Sequence, residues 1–187
     1  GDVADHREFP AVSTTGTDEL ARQLELLGVA VRECAIPTLA PARVFELAPD
    51  DWGRLAQAAR SCDCRWAAAW GEDRGGNIMV HAVFEKAGAY LLARTQVSRR
   101  APVLPSHTPH YPAADRPERH IQDMLGVAFL DHPDPRRWTR HKAWSDTDFP
   151  LRKDFPVAGI ATSPTPPDDS YHFLQAHGAG VYEIPVG

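Results

Sequence analysis

Prolines set the limits on what this chain can fold into. Beyond Arg100 they recur at positions 102, 105, 109, 112 and 117, and beyond Asp131 at 133, 135, 150, 156, 164, 166, 167 and 185. A proline has no amide hydrogen to give a helix or a ladder, and it biases the residue before it away from helix. Regular structure therefore belongs before position 100, with room for one short helix between Pro117 and Pro133. Residues 131–187 are too long for a loop of a compact domain. They read as an extended tail laid over another protein, and residues 1–130 as the globular domain, with 1–14 a flexible lead.

Within the globular part, Leu20, Leu24 and Leu27 recur at helical spacing and Gly28 closes the run. Val29 to Cys34 and Arg43 to Leu47 are short β-branched or alternating runs, read as two strands on either side of a proline-bearing turn. Pro49, Asp50 and Asp51 suit the first turn of a second helix that buries Trp52, Leu55 and Ala59. Three strands follow. Cys64 to Trp70 sets Trp66, Ala68 and Trp70 against Arg65, Ala67 and Ala69; Asn77 to Glu85 puts Ile78, Val80, Ala82 and Phe84 on one face; and Gly88 turns that strand into Tyr90 to Val97. The order helix, two strands, helix, three strands predicts an α+β fold, a two-layer sandwich with a mixed sheet, followed by the short helix and the tail.

The length of 187 residues suits one core, and a hydrophobic content of 43% with a mean hydropathy of −0.38 is that of an ordinary globular chain. No apolar run reaches the ~20 residues that span a bilayer, so membrane association is expected only through partners. The N-terminus has neither the basic start nor the apolar stretch of a secretory signal, which makes the cytoplasm the expected compartment. Cys34, Cys62 and Cys64 are odd in number and have no CxxC spacing, suggesting reduced thiols rather than a disulfide framework or a metal centre. A net charge of −5 argues against a nucleic-acid surface as the main function.

The densest chemistry runs from Tyr111 to Pro156. Asp115 and Glu118 have the spacing of a capping box, Ile121, Met124 and Leu125 form one buried face, and Gly126 suits a left-handed helix end. Across and beyond it come E-R-x-x-x-D-x-x-G-V-x-F-x-x-H-P-D-x-R-R, read from Glu118 to Arg137, and P-L-R-K-D-F-P, read from Pro150 to Pro156. This order resembles the signature of the C subunit of respiratory complex I, also found at the front of the large subunit of energy-converting membrane-bound hydrogenases. The family's usual second acid is replaced by His120. The resemblance implies a non-catalytic structural subunit of the hydrophilic arm of an NADH:quinone oxidoreductase, peripheral on the inner face of the cell membrane. Its partners would be the large quinone-site (or hydrogenase large) subunit and the small iron–sulfur subunit. NADH, FMN, iron–sulfur clusters and quinone would be held by other chains, with no cofactor bound here. The equivalent module of a hydrogenase or formate-oxidising complex is the alternative, and GVYEIPVG at the C-terminus resembles the join to a hydrogenase's metal-binding domain.

Alternating signs and large aromatics are what protein interfaces use, so the expected partner interface is Glu118, Arg119, Asp123, His132, Arg136, Arg137, Arg152, Lys153, Asp154 and Phe155. Arg136, Arg137, Arg140, Lys142, Arg152 and Lys153 with Trp138, Trp144 and Phe155 would also suit a stand-alone module holding nucleic acid, but Asp131, Asp134, Asp146, Asp148 and Asp154 interleave with them and would repel phosphates. His107, His110, Glu118, His120, His132 and His141 lack a spacing that fixes a metal geometry. Glu118 and Asp123, five apart on a helix, point in different directions and make a poor acid–base pair. No metal ligand and no catalytic residue is expected.

Overall fold

The computed structural model describes residues 15–140, 144–160 and 178–182. The expected flexible lead and most of the C-terminal join lie outside them. Helix α1 (Thr15–Leu26) buries Leu20 and Leu24 completely and ends at Gly28, whose φ of 69° is the left-handed turn that glycine takes without strain. Strands β1 (Val31–Glu33) and β2 (Arg43–Leu47) pair antiparallel. A 3-10 turn at Pro49–Asp51 leads into α2 (Trp52–Ser61), which buries Trp52, Leu55, Ala56, Ala58 and Ala59. Strands β3 (Arg65–Asp73), β4 (Asn77–Lys86) and β5 (Ala89–Ser98) complete a five-stranded sheet in the order β1-β2-β5-β4-β3. Every pairing is antiparallel except β2 with β5, the pair joined through α2 and the β3–β4 hairpin.

Local chemistry sets the register. Strands β4 and β5 are joined by Ala87 and Gly88, both with positive φ (51° and 81°), the two-residue turn whose twist matches the strands. One sheet face carries Ile78, Val80, Ala82 and Phe84 against Leu20, Leu24 and Leu55 in a single core. The simple alternation expected for β3 fails. A bulge between Trp66 and Ala68 puts Ala67 out of register, so Trp66 pairs with Phe84 on the core side while Trp70 pairs with His81 on the other face. There the Trp70 and His81 rings stack with centroids 4.8 Å apart, and burial lowers the imidazole's pKa.

A second, two-stranded sheet is not legible from the sequence as such. Strand β6 (Val103–Pro105) pairs in parallel with β7 (Ala128–Leu130), the extended run in which Phe129 does point inward. Between them, helix α3 (Asp115–Leu125) packs against β3. A Cβ on Gly71 of β3 would collide with the Leu125 side chain, so α3 sits as close as it does because that residue is glycine.

Candidate functional site

Helix α3 is the part of the fold from which the signature residues act. Its start differs from the expected capping box: Ala114 is the N-cap, no side chain caps it, and Asp115 already lies within the helix. Glu118 turns instead to donors of the loop at residues 106–108. The helix stops at Gly126 (φ 79°), whose N–H bonds the Gln122 carbonyl.

Four polar side chains of α3 replace the backbone pairing that the proline-rich segments cannot make for themselves. Backbone groups removed from water need partners, and these side chains supply them on both flanks. On the N-terminal side, Glu118 (2% exposed) accepts from Ser106 Oγ at 2.5 Å, the His107 amide at 2.6 Å and Thr108 Oγ1 at 2.8 Å. Burial raises the Glu118 pKa, against the pull of those three donors. The loop held in this way seats His107 in the core, stacked on Trp52 with centroids 4.7 Å apart. Its Nδ1 accepts from Trp66 Nε1 at 3.4 Å, which leaves the proton on Nε2 to donate to the Trp52 carbonyl at 2.9 Å. Burial pushes this imidazole's pKa down to about 3.

On the C-terminal side the same helix captures the chain from His132 to Arg140. Arg119 donates to the carbonyls of Arg136 (2.7 Å) and Arg137 (3.2 Å) and to Asp134 Oδ2 (3.2 Å). Gln122 Nε2 takes the Pro135 carbonyl at 2.9 Å. Asp123, fully buried, accepts at one oxygen from the amides of Trp138 (2.7 Å), Thr139 (2.6 Å) and Arg140 (3.1 Å). A cation thus collects carbonyls and an anion collects amides, the complementarity that helix ends show toward charges. His132, buried at its side chain, accepts the Asp134 amide at 3.0 Å and closes the His-Pro-Asp turn.

Farther along, the P-L-R-K-D-F-P stretch folds back onto the end of α3. Arg152 Nε donates to the Leu125 carbonyl at 2.8 Å, and the Leu151 amide donates to that of Met124 at 3.1 Å. The Phe149 ring lies between the guanidinium carbons of Arg140 (4.9 Å) and Arg152 (4.2 Å). A Cβ on Gly126 would stand 2.6 Å from Arg152 Nη2 and 2.7 Å from the Phe149 ring. Asp73, at the end of β3, receives the Lys153 amide at 2.8 Å, and Arg99 pairs with Asp154.

The ten residues expected at a partner interface therefore divide. Glu118, Arg119 and Asp123, and the side chain of His132, are buried and bonded within the chain. Arg136 is exposed and paired with Asp134, whose carboxyl it holds well below the usual range. Arg137 holds the Trp144 carbonyl and pairs with Asp146. Lys153 and Asp154 are exposed, while Arg152 and Phe155 are half-buried. Missed as parts of this arrangement are Ser106, Thr108 and the buried Arg140, along with Trp138, which is 43% exposed under the Arg116 guanidinium at 3.8 Å. A signal for Ser106 and Thr108 exists in the sequence: two hydroxyls flanking a histidine in a stretch with no pairing of its own. Glu118 and Asp123 serve separate segments and form no acid–base pair. Among the described residues no cluster of three or more histidines, cysteines or acids could hold a metal ion, and no helix is long and apolar enough to cross a membrane.

A family model described as the 30 kDa subunit of respiratory-chain NADH dehydrogenase matches residues 45–161. Curated relatives include Hydrogenase-4 component G of Escherichia coli (strain K12), 31% identical over 60% of this chain and 21% of its own length, and Formate hydrogenlyase subunit 5 of the same organism, 35% identical over 48% and 16%. The C subunit of the NADH-quinone oxidoreductase of Maricaulis maris (strain MCS10) is 37% identical over 44% of this chain and 40% of its own length. The chain thus spans less than half the length of these three. Two solved structures share the fold: a trypsin-resistant fragment of Nqo5 (TM-score 0.52, 17% identity, 64% of this chain and 98% of that one) and a chain of the membrane-bound sulfane sulfur reductase, an archaeal respiratory membrane complex (TM-score 0.62, 18% identity, 76% and 86%).

Proposed function

The chain belongs to the family of the 30 kDa subunit of respiratory-chain NADH dehydrogenase, and from that premise we propose that it is a non-catalytic structural subunit of a complex I-like oxidoreductase, docking on the large quinone-site subunit. NADH, FMN, iron–sulfur clusters and quinone belong in this reading to the other chains, and the membrane is reached through the complex. The observation that carries it is Trp138: a large aromatic left nearly half exposed, gripped by Arg116, on a segment whose backbone is pinned by Arg119 and Asp123. A pinned aromatic beside arginines loses little entropy when a partner covers it, which is how interface hot spots work. Exposed Leu130, Leu151, Val157 and Tyr182 extend the apolar surface of the same C-terminal part. The division into a globular domain to Leu130 and a partner-covering segment beyond it belongs to the same proposal.

A second reading has support of its own. Two of the relatives are several times longer than this chain, which matches only a fraction of each; the module can thus be the front of a hydrogenase-type large subunit. Flanking genes for cluster-bearing and membrane subunits, with or without a separate large subunit, separate the two. The docking reading is tested by Trp138→Ala in the full chain co-expressed with the large subunit. Recovery of the partner should fall roughly tenfold or more, as for a hot-spot aromatic, while the isolated variant melts within about 2 °C of wild type, since little more than the partly exposed cation–π contacts with Arg116 and Arg119 is lost. Normal recovery of the partner refutes it.

A further inference from the structure

The arginines of the signature and tail are not equally spent. Arg119, Arg136, Arg137 and Arg140 each use terminal guanidinium nitrogens on carboxylates or carbonyls of the chain. Arg152 differs. Its Nε is committed to the Leu125 carbonyl, but Nη1 and Nη2 have no hydrogen bond or ion pair among the described residues. The group is nonetheless held in place, by that bond at one edge, by the Phe149 ring at 4.2 Å and by the space that Gly126 leaves open.

Arg152 lines a cleft of about 160 Å³ together with Arg99, Phe149, Asp154, Phe155 and Ile160. Arg99 is turned toward acids: it pairs with Asp154 and stands 3.8 Å from Asp73, which already holds the amides of Gly75 and Lys153. The charges around the Arg152 guanidinium are Arg99, Asp154, Asp73 and, on the cleft wall, Asp148. Burial and the neighbouring Arg99 lower the Arg152 pKa, and Asp154 and Asp73 only partly offset them. Asp148 also lines the cleft, with its carbonyl accepting from Arg140. A fixed, partly desolvated guanidinium with its two-pronged edge free matches a carboxylate, whose two oxygens fit the fork. The cleft has room for one such side chain, with Phe155 and Ile160 to cover its methylenes.

We propose that this cleft is a socket for a carboxylate side chain of the partner subunit, received by the free fork of Arg152. The proposal rests on the docking reading and adds to it a defined point of attachment.

Arginine-selective nitrogen-15 NMR of the full chain tests it, with sodium acetate replacing sodium chloride at constant ionic strength. The Arg152 guanidinium signals should shift saturably while those of Arg136 do not. Arg152→Lys keeps a donor for the Leu125 carbonyl and removes the fork; it should abolish the acetate response, leave the melting temperature within about 3 °C, and lower co-purification of the large subunit roughly tenfold. Absence of an acetate response in wild type overturns the socket. An acetate response with normal co-purification of Arg152→Lys overturns the partner as its source and makes the ligand a small free carboxylate. If Trp138→Ala loses the partner and Arg152→Lys does not, docking stands without the socket; if neither loses it, the docking reading falls first.

Discussion

Replacing Asp123 by alanine removes the single acceptor of three amides, those of Trp138, Thr139 and Arg140, at 2.7, 2.6 and 3.1 Å. A hydrogen bond to a charged group contributes about 1.5–3 kcal/mol net, so three bonds at the low end give roughly 4.5 kcal/mol. Two effects reduce this. The amides of Trp138 and Thr139 lie on the partly exposed side and can turn to water, and the second oxygen of Asp123 is buried without a partner, so removing the carboxylate also removes its desolvation cost. A net loss of about 3 kcal/mol remains, which for a chain of this size lowers the melting temperature by roughly 6–12 °C. Asp123→Asn keeps one oxygen acceptor without the charge and should lose about half as much. Thermal unfolding by circular dichroism measures the shift, and limited trypsin digestion locates it: the buried Arg140 should become a cleavage site in Asp123→Ala. An Asp123→Ala chain that melts with wild type and is cut no faster at Arg140 refutes the reasoning.

Gly126→Ala should cost about 3 kcal/mol, combining a left-handed φ of 79° with displacement of Arg152 and Phe149 from contact distance, and is read in the same melts. His107 gives a pH dependence. Its folded pKa, near 3, lies below the unfolded value, so the unfolded chain binds more protons between roughly pH 6.5 and 3 and stability falls as the pH drops through that window. About 2 kcal/mol should go between pH 7 and pH 5 from this group, and its imidazole resonances should not titrate above pH 4 or so while the chain stays folded; an ordinary titration near 6.5 would place His107 outside the core. Truncation after Leu130 should leave a cooperative transition from the five-stranded sheet, at a lower temperature because Arg119 and Asp123 lose their partners, and absence of any transition would make residues 131–160 part of the core.

Periodicity makes the main sheet and its helices legible, since Leu20 and Leu24, Ile78 to Phe84 and the turn at Gly88 each bear one consistent signal. The β3 bulge is not legible, because Arg65 to Trp70 alternates acceptably in either register and only the packing of Trp66 on Phe84 decides. Strands β6 and β7, three residues each, are too short for a period. The site shows the opposite balance. Its residue identities are evident in the sequence, but their direction is not: a charged residue on a short helix usually faces solvent, and Glu118, Arg119 and Asp123 turn inward because flanking segments rich in proline bring unpaired backbone to them. Composition alone points outward, to a partner.

Hydrogen exchange at the amides of Trp138, Thr139 and Arg140, in the isolated chain without any partner, tests the central claim most directly. If α3 holds this segment through Asp123, those amides should exchange at least about a hundredfold more slowly than free peptide, and Asp123→Ala should release all three together. Exchange at free-peptide rates in the wild-type chain would mean that the segment is ordered only by its partner, and that the inward set of Glu118, Arg119 and Asp123 does not organise the docking surface.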